Sequence, residues 1–164
     1  MEDKVKIKIK KLHPNAIIPK YAHVGDAGVD LVATEVNVVE CRTPVGYDEL
    51  GYVSIEKTIG KIYEVKFGFA VEFPKGYVAR IYPRSSIYKT GLVLANSSGT
   101  VDQCYRGELM AKFYSIIPTG NEYKVGDRCA QLILEKIPEM EFEEVDELSE
   151  TDRGTGGFGS TGRS

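Results

Sequence analysis

Asp102 and Tyr105 stand three residues apart within residues 91–109, and their side chains could take part in chemistry. An ionised aspartate can accept a proton when it is correctly placed, and an aromatic ring can pack against a bound molecule. An apolar run, a polar turn at 96–99 and a second apolar step at 100–101 precede Asp102, which predicts a hairpin. A purely structural hairpin would show the same pattern, so the rest of the chain must decide.

A second group of polar side chains follows a predicted strand at residues 83–86. An arginine fork binds phosphate through two hydrogen bonds, so Arg84 with Ser85 and Ser86 forms a candidate oxyanion site. Residues 87–89 could add one helical turn whose amides face the same anion. The alternative is a capped turn with an exposed arginine.

Gln131 is the polar exception in the apolar run 129–137, which predicts a central strand. A buried amide must find hydrogen-bond partners, so Gln131 is either structural or directed at a ligand. Asp30 alternates with Val29 and Leu31 in a predicted strand over 29–33, and therefore points to the opposite face.

The chain ends in a glycine-rich segment at residues 153–162. Gly154, Gly156 and Gly159 fit the pattern GxGxxG, but too few residues follow to form the crossover helix of a dinucleotide fold. No lysine stands at the position that a P-loop requires. The segment is therefore either a disordered tail or a flexible arm whose amides can bind an anion, and Arg153 and Phe158 favour the arm.

Composition narrows the class of protein. The 164 residues suit one domain, and 21 basic against 24 acidic residues argue against binding to nucleic acid or to a membrane surface. Three cysteines without paired spacing suggest neither a zinc site nor a disulfide framework, and no signal or membrane segment is recognised. His13 and His23 have no ligand partners at metal spacing. We expect a soluble protein of the cytoplasm.

The periodicity predicts an all-β fold. Seventeen glycines, ten tyrosines and few helical repeats accompany alternating segments at 5–9, 63–73 and 77–82, with further strands at 36–39 and 112–117. A rhythm of strand and turn about every ten residues is typical of a sandwich or jelly roll. Residues 139–150 are acidic and predict a solvated strand or edge.

Five segments in order resemble the motifs of the homotrimeric dUTPase family: 27–31 (AGVDL), 83–86 (PRSS), 96–107 (NSSGTVDQCYRG), 126–133 (GDRCAQLI) and 153–162 (RGTGGFGSTG). The resemblance implies a distorted jelly-roll or β-barrel domain over 1–152 and a C-terminal active-site arm over 153–164. It also implies a homotrimer with active sites shared between subunits. The implied reaction hydrolyses dUTP to dUMP and pyrophosphate with Mg²⁺, which keeps dUTP low and supplies dUMP for dTMP synthesis.

The resemblance also assigns the nucleoside contacts. Asp102 would be the general base for water attack at the α-phosphorus, and Tyr105 would pack on the deoxyribose. The backbone of Gly99, Thr100 and Val101 would read the uracil edge, with Asn96 bracing or contacting the base. By position only, Met110 would touch the substrate. The narrow hairpin would leave no room for a thymine methyl group.

The remaining implied contacts concern the phosphates and the metal. Arg84, Ser85, Ser86 and Gln131 would hold phosphates. Asp30 would reach Mg²⁺ through bound water, which suits a hard cation that keeps several waters. The arm would supply a stacking ring on uracil and γ-phosphate contacts, from Phe158 and from Arg153, Gly159, Ser160 and Thr161 respectively.

The sequence departs from the family pattern at two places. Extra residues near 41–61 could form an added hairpin, and Ser86 stands where glycine is frequent in a loop that is about one residue short. Two alternatives stay open. A dCTP deaminase of the same fold would use a glutamate and lack the arm, and a regulatory homologue would use the added segment to bind a protein partner.

Overall fold

The computed structural model describes residues 4–47, 49–51, 53–116 and 122–157. These residues form ten strands: β1 (Lys8–Lys11), β2 (Val29–Val32), β3 (Glu35–Tyr47), β4 (Val53–Lys66), β5 (Phe69–Glu72), β6 (Tyr77–Pro83), β7 (Leu92–Leu94), β8 (Gly99–Val101), β9 (Met110–Ser115) and β10 (Arg128–Lys136). The described ranges contain no α-helix; their single helical turn is a 3₁₀ helix over Ser85–Lys89. None of their helices could cross a membrane.

The strands form three antiparallel sheets. Their orders are β2-β10-β6-β8, β3-β4-β9-β7 and the pair β1-β5. The core lies among them and includes the fully buried side chains of Leu31, Val65, Phe67, Phe113 and Cys129. The prediction of an all-β, jelly-roll fold is confirmed, as is the central position of the strand that carries Gln131.

The predicted hairpin at residues 91–109 is wrong. Strand β7 pairs with β9 in one sheet, whereas β8 pairs with β6 in the other, so the turn between them is a corner that joins two sheets. A backbone hydrogen bond from Ala95 to Lys112 holds the first side of the corner, and Ser97 adopts a positive φ of 58° within it. Since Leu92, Leu94 and Val101 are all buried, each short strand packs against the core instead of pairing with the other.

The long strand predicted over 63–73 is divided at Gly68. Gly68 has a φ of +73°, and a Cβ atom there would lie 2.9 Å from Cγ2 of Thr34. The chain therefore leaves one sheet after Lys66 and enters the pairing with β1 at Phe69. The alternation of buried side chains continues across the break, since Phe67 and Phe69 are both buried. The first strand is also displaced: it spans Lys8–Lys11 instead of 5–9.

Strands β3 and β4 form a long hairpin, with pairing from Glu35↔Lys66 to Tyr47↔Val53. The strand residues 41–47 and 53–61 lie within this hairpin, and that they are an addition to the family pattern stays a prediction. Residues 139–150, by contrast, contain no strand and are exposed, so the predicted edge strand is not formed within this chain. The exposed segment carries four large apolar side chains: Met140, Phe142, Val145 and Leu148.

Candidate active site

Asp30 lies at the centre of an arginine cluster. Its Oδ1 accepts a 2.7 Å hydrogen bond from Nε of Arg84, and its Oδ2 accepts a 3.1 Å bond from Nη1 of Arg128. The side chains of Asp30 and Arg84 are 22% and 27% exposed, so water screens the pair only in part. One carboxylate shared by two arginines leaves a net positive charge and free guanidinium N–H groups, which is the chemistry that binds a phosphate.

The sheet register explains why this cluster forms. Asp30 on β2 lies opposite Gln131 on the central strand β10, and Gln131 lies opposite Tyr82 on β6. The end of β6 therefore delivers Arg84 to the edge of the sheet beside Asp30. Arg128, at the start of β10, reaches the same carboxylate.

Three further predicted phosphate ligands surround Arg84 in different ways. Oγ of half-buried Ser86 lies 3.5 Å from Nη1 of Arg84, at the outer limit of a hydrogen bond, whereas Ser85 is exposed. Nε2 of Gln131 donates a 3.1 Å hydrogen bond to the carbonyl of Pro83. Of the two interpretations of Gln131, the structural one therefore accounts for its amide nitrogen. The helical turn predicted after Arg84 is present.

A pocket of about 280 Å³ lies beside the corner between β7 and β8. Its walls are mostly apolar, and its polar side chains are the amide of Asn96 and the ammonium group of Lys112. The lining residues are Ile81, Leu94, Ala95, Asn96, Gly99, Met110, Ala111 and Lys112. An apolar slot with one amide and exposed strand edges is suited to a planar polar ring.

Gly99 lies close to two other residues that line this pocket. A Cβ atom at Gly99 would lie 3.3 Å from Cβ of Ile81 and 3.4 Å from Nδ2 of Asn96. Strand β8 is also the edge of its sheet, so a row of its backbone groups stays unpaired within that sheet. The hydroxyl of Thr100 accepts a 3.1 Å hydrogen bond from Nη1 of Arg80, and the side chain of Val101 is buried.

Asp102 and Tyr105 lie at the two ends of one turn that follows β8. The amide of Tyr105 donates a 3.0 Å hydrogen bond to the carbonyl of Asp102, and Nη1 of Arg106 donates to the carbonyls of Gln103 and Tyr105 at 2.6 and 2.9 Å. The side chain of Asp102 is exposed and makes no hydrogen bond or ion pair to any residue that the structure describes. Its carboxylate is therefore available to a water molecule.

The predicted residues that the structure describes thus form two groups: the arginine cluster around Asp30, and the pocket together with the turn that carries Asp102 and Tyr105. Strand β6 connects them, because Ile81 lines the pocket and Arg84 follows the end of the same strand. Within the described ranges, no hydrogen bond or ion pair joins the Asp102 turn to the arginine cluster.

The glycine-rich segment lies apart from both groups as far as it is described. Nε of Arg153 donates a 2.7 Å hydrogen bond to the carbonyl of Gly156, so the arginine folds onto its own loop. The predicted contacts of Phe158, Gly159, Ser160 and Thr161 lie outside the described residues.

Sequence reasoning missed Arg128. It follows the tight turn at Gly126 and Asp127, and nothing in its local sequence distinguishes it from an exposed arginine. The useful signal is the pairing of β10 with β2, which places Arg128 beside Asp30 although the two residues are 98 positions apart.

Comparisons with known proteins identify the family. The family model described as dUTPase matches residues 46–162. The deoxyuridine 5'-triphosphate nucleotidohydrolase of Thermobifida fusca (strain YX) is 40% identical over 96% of this chain and 79% of its own length. The enzyme of the same name from Picosynechococcus sp. (strain PCC 7002) is 41% identical over 95% and 98% of the two chains.

A solved structure shows the same fold. The dUTPase of Staphylococcus bacteriophage 80alpha, in complex with dUpNHpp, is similar with a TM-score of 0.74 and 27% identity, over 96% of this chain and 99% of that one. Fold, motifs and relatives define a nucleotide hydrolase of the jelly-roll type. The chain belongs to the dUTPase family, as its five motifs predicted.

Proposed function

We propose that the protein hydrolyses dUTP to dUMP and pyrophosphate, and so keeps dUTP low and supplies dUMP for dTMP synthesis in the cytoplasm. The observation that carries the proposal is the continuity of one short segment. Asn96 and Gly99 line the narrow pocket, and Asp102 follows directly after the edge strand that begins at Gly99. A base held in that pocket places the rest of its nucleotide next to an available carboxylate.

The pocket and the turn account for substrate choice and for water activation. Backbone groups of β8 and the Asn96 amide read the uracil edge, and Met110 forms part of the wall. Asp102 accepts a proton from a water molecule as the water oxygen attacks the α-phosphorus. The bond from that phosphorus to the bridging oxygen breaks, pyrophosphate leaves, and dUMP carries the new oxygen.

The arginine cluster accounts for triphosphate binding. Arg84 and Arg128 retain a net positive charge beside Asp30, and Ser85, Ser86 and Gln131 supply further polar groups. Donors fixed before the reaction stabilise the charge that develops on the phosphates. Arg153, Gly159, Ser160 and Thr161 would complete the γ-phosphate contacts, and Phe158 would stack on the uracil.

The residues present fit a magnesium ion that is held through water. The described residues contain no group of three or more potential metal-binding side chains, and both carboxylate oxygens of Asp30 already accept hydrogen bonds from arginines. A site of this kind suits Mg²⁺ bound mainly by substrate phosphates and water, with Asp30 in the outer shell. When bound, the ion would neutralise phosphate charge.

The exposed segment 139–150 supports assembly as a homotrimer. Met140, Phe142 and Leu148 are each more than 75% exposed in the isolated chain, which is a large apolar surface for a monomer. Packing of this segment on a second copy would bury these side chains and direct the following arm, residues 153–164, to a neighbouring active site. The proposal involves no nucleic-acid or membrane partner.

A pyrophosphate-release assay that compares dUTP, dTTP, UTP and dCTP tests the function. We expect efficient release from dUTP alone, because the pocket excludes the thymine methyl group and Tyr105 excludes the ribose 2′-hydroxyl. Ammonia release from dCTP without pyrophosphate would instead identify a deaminase, and equal turnover of the four nucleotides would contradict the pocket assignment.

A further inference from the structure

We propose that Gly107 positions the ring of Tyr105 and is therefore a determinant of sugar specificity. The inference rests on the proposed function, in which the Tyr105 ring lies against the deoxyribose. It assigns to a residue without a side chain the task of holding the surface that rejects a 2′-hydroxyl group.

The ring of Tyr105 occupies the space that a side chain at residue 107 would need. A Cβ atom at Gly107 would lie 2.5 Å from Cζ of Tyr105 and 2.9 Å from its Cε2, and would overlap its hydroxyl oxygen. Gly107 does not have a positive φ, so its backbone conformation is open to alanine. The requirement for glycine is therefore steric, and the group that it accommodates is the tyrosine ring.

A hydrogen bond fixes the far end of the ring. The Tyr105 hydroxyl donates to the carbonyl oxygen of Glu108 at 3.0 Å, and the ring thus spans the backbone of Gly107. Tyr105 as a whole is 43% exposed, so part of the ring remains open to a ligand. The backbone on one side and the hydrogen bond at the tip leave the ring little freedom to move.

The carbonyl that receives this hydrogen bond is itself held firmly. Oε1 of Glu108 accepts a 2.9 Å hydrogen bond from the amide of Gly68 at the break between β4 and β5. The next residue, Leu109, is 1% exposed and exchanges backbone hydrogen bonds with Phe67 and Phe69 at 3.0 and 2.9 Å. The ring of Tyr105 is therefore anchored, through Glu108 and Leu109, to the core of the subunit.

The geometry predicts a specific effect of adding a methyl group. The clash at Gly107 involves the outer end of a side chain whose tip is held by one hydrogen bond, so Gly107→Ala breaks that bond and displaces the ring while the backbone keeps its fold. A displaced ring no longer closes the space beside C2′ of the sugar. Discrimination against UTP should fall more than catalysis on dUTP.

The test measures kcat/KM for UTP and for dUTP in the wild type, Gly107→Ala, Tyr105→Ala and a control, Gly60→Ala. A Cβ at Gly60 would meet no atom of the described side chains within 4 Å, and Gly60 lies outside the site, so the control carries the same substitution without the contact. We expect the UTP/dUTP ratio to rise about tenfold or more in Gly107→Ala and Tyr105→Ala, and to stay at the wild-type value in Gly60→Ala.

Each other outcome has a distinct meaning. A raised ratio in Tyr105→Ala with a wild-type ratio in folded Gly107→Ala would overturn the role of Gly107 and leave the proposed function intact. A wild-type ratio in both variants would remove Tyr105 from sugar discrimination. Failure of Gly107→Ala to fold, measured by its thermal midpoint, would show that the ring cannot yield and would also overturn the inference.

Discussion

Nε of Arg84 donates a 2.7 Å hydrogen bond to Oδ1 of Asp30, although the family resemblance implies separate roles for the two residues. The resemblance gave Arg84 to a phosphate and Asp30 to a hydrated metal ion. Their direct contact shows that Asp30 also fixes the orientation of the guanidinium group that would meet the phosphate. Arg128 donates to the same carboxylate, so the arrangement is a triad of one carboxylate and two guanidinium groups.

Mutual stabilisation of this pair is measurable by a double-mutant cycle. We expect Asp30→Asn and Arg84→Gln to be less than additive, with a coupling energy of about 1–2 kcal/mol, because the bond is charge-assisted and half-buried. Urea unfolding at one fixed protomer concentration measures it, since subunit assembly contributes to stability. The exposed pair of Lys75 and Glu139, treated in the same way, is the control and should show weaker coupling. Additive effects at Asp30 and Arg84 would contradict the pairing.

Removal of the proposed base should separate binding from turnover. Asp102→Asn preserves the size of the side chain but removes its capacity to accept a proton, so kcat should fall by about 10²–10⁴. Affinity for a non-hydrolysable dUTP analogue should change little, and calorimetric titration measures it beside the steady-state rate. Asp146→Asn, an exposed acid in the segment 139–150, serves as the matched control. Near-normal turnover of Asp102→Asn would remove Asp102 from the base role.

Loss of the C-terminal segment should reduce catalysis and leave assembly unchanged. Truncation after Asp152 removes Arg153 and Phe158 while retaining residues 139–150, so we expect kcat to drop by about 10² or more. Light scattering after size-exclusion chromatography should still report the mass of the full-length assembly, less the residues removed. A truncated protein with an unaffected rate would disprove the closing role of the arm.

The stability of the protein should decline at alkaline pH because of Cys129. Burial, followed by the nearby Asp127 charge, raises the pKa of the Cys129 thiol to about 12, above the value of a thiol in an unfolded chain. Between these two pKa values the folded state holds a proton that the unfolded state releases. The free energy of unfolding is therefore unaffected by the thiol below about pH 9 and falls as the pH rises from there towards 12.

Urea midpoints between pH 8 and pH 11 check this expectation. Burial likewise raises the pKa values of Tyr63 and Tyr123 to about 12, and both act in the same direction. Cys129→Ala isolates the thiol, and its midpoint should decline less steeply than that of the wild type. Identical pH profiles would exclude the contribution, and Cys104→Ala, which alters an exposed thiol, is the control.

The fold class and most strands could be predicted because each strand carries its own apolar pattern. Alternating residues predicted the strand that became β6, and a nearly continuous apolar run predicted the strand that became β10. Which strands pair with each other was not predictable in the same way. Residues 92–94 and 100–101 have the local pattern of a hairpin, yet each strand pairs in a different sheet, because an apolar–turn–apolar pattern also describes a corner.

The site shows the same division. The motifs predict Asp30, Arg84 and Asp102 as site residues by residue type and order, but contacts between distant strands are set by register. The triad that includes Arg128 and the seat of Tyr105 on Gly107 both needed the folded geometry. Gly68 is comparable: alternation of side chains reveals neither its positive φ nor its close packing against Thr34.

Hydrolysis of dUTP in water enriched with oxygen-18, followed by mass spectrometry of both products, tests the central claim most directly. An Asp102-bound water that attacks the α-phosphorus predicts one heavy oxygen in dUMP and none in pyrophosphate. Heavy oxygen in pyrophosphate, or the absence of dUMP among the products, would contradict the account.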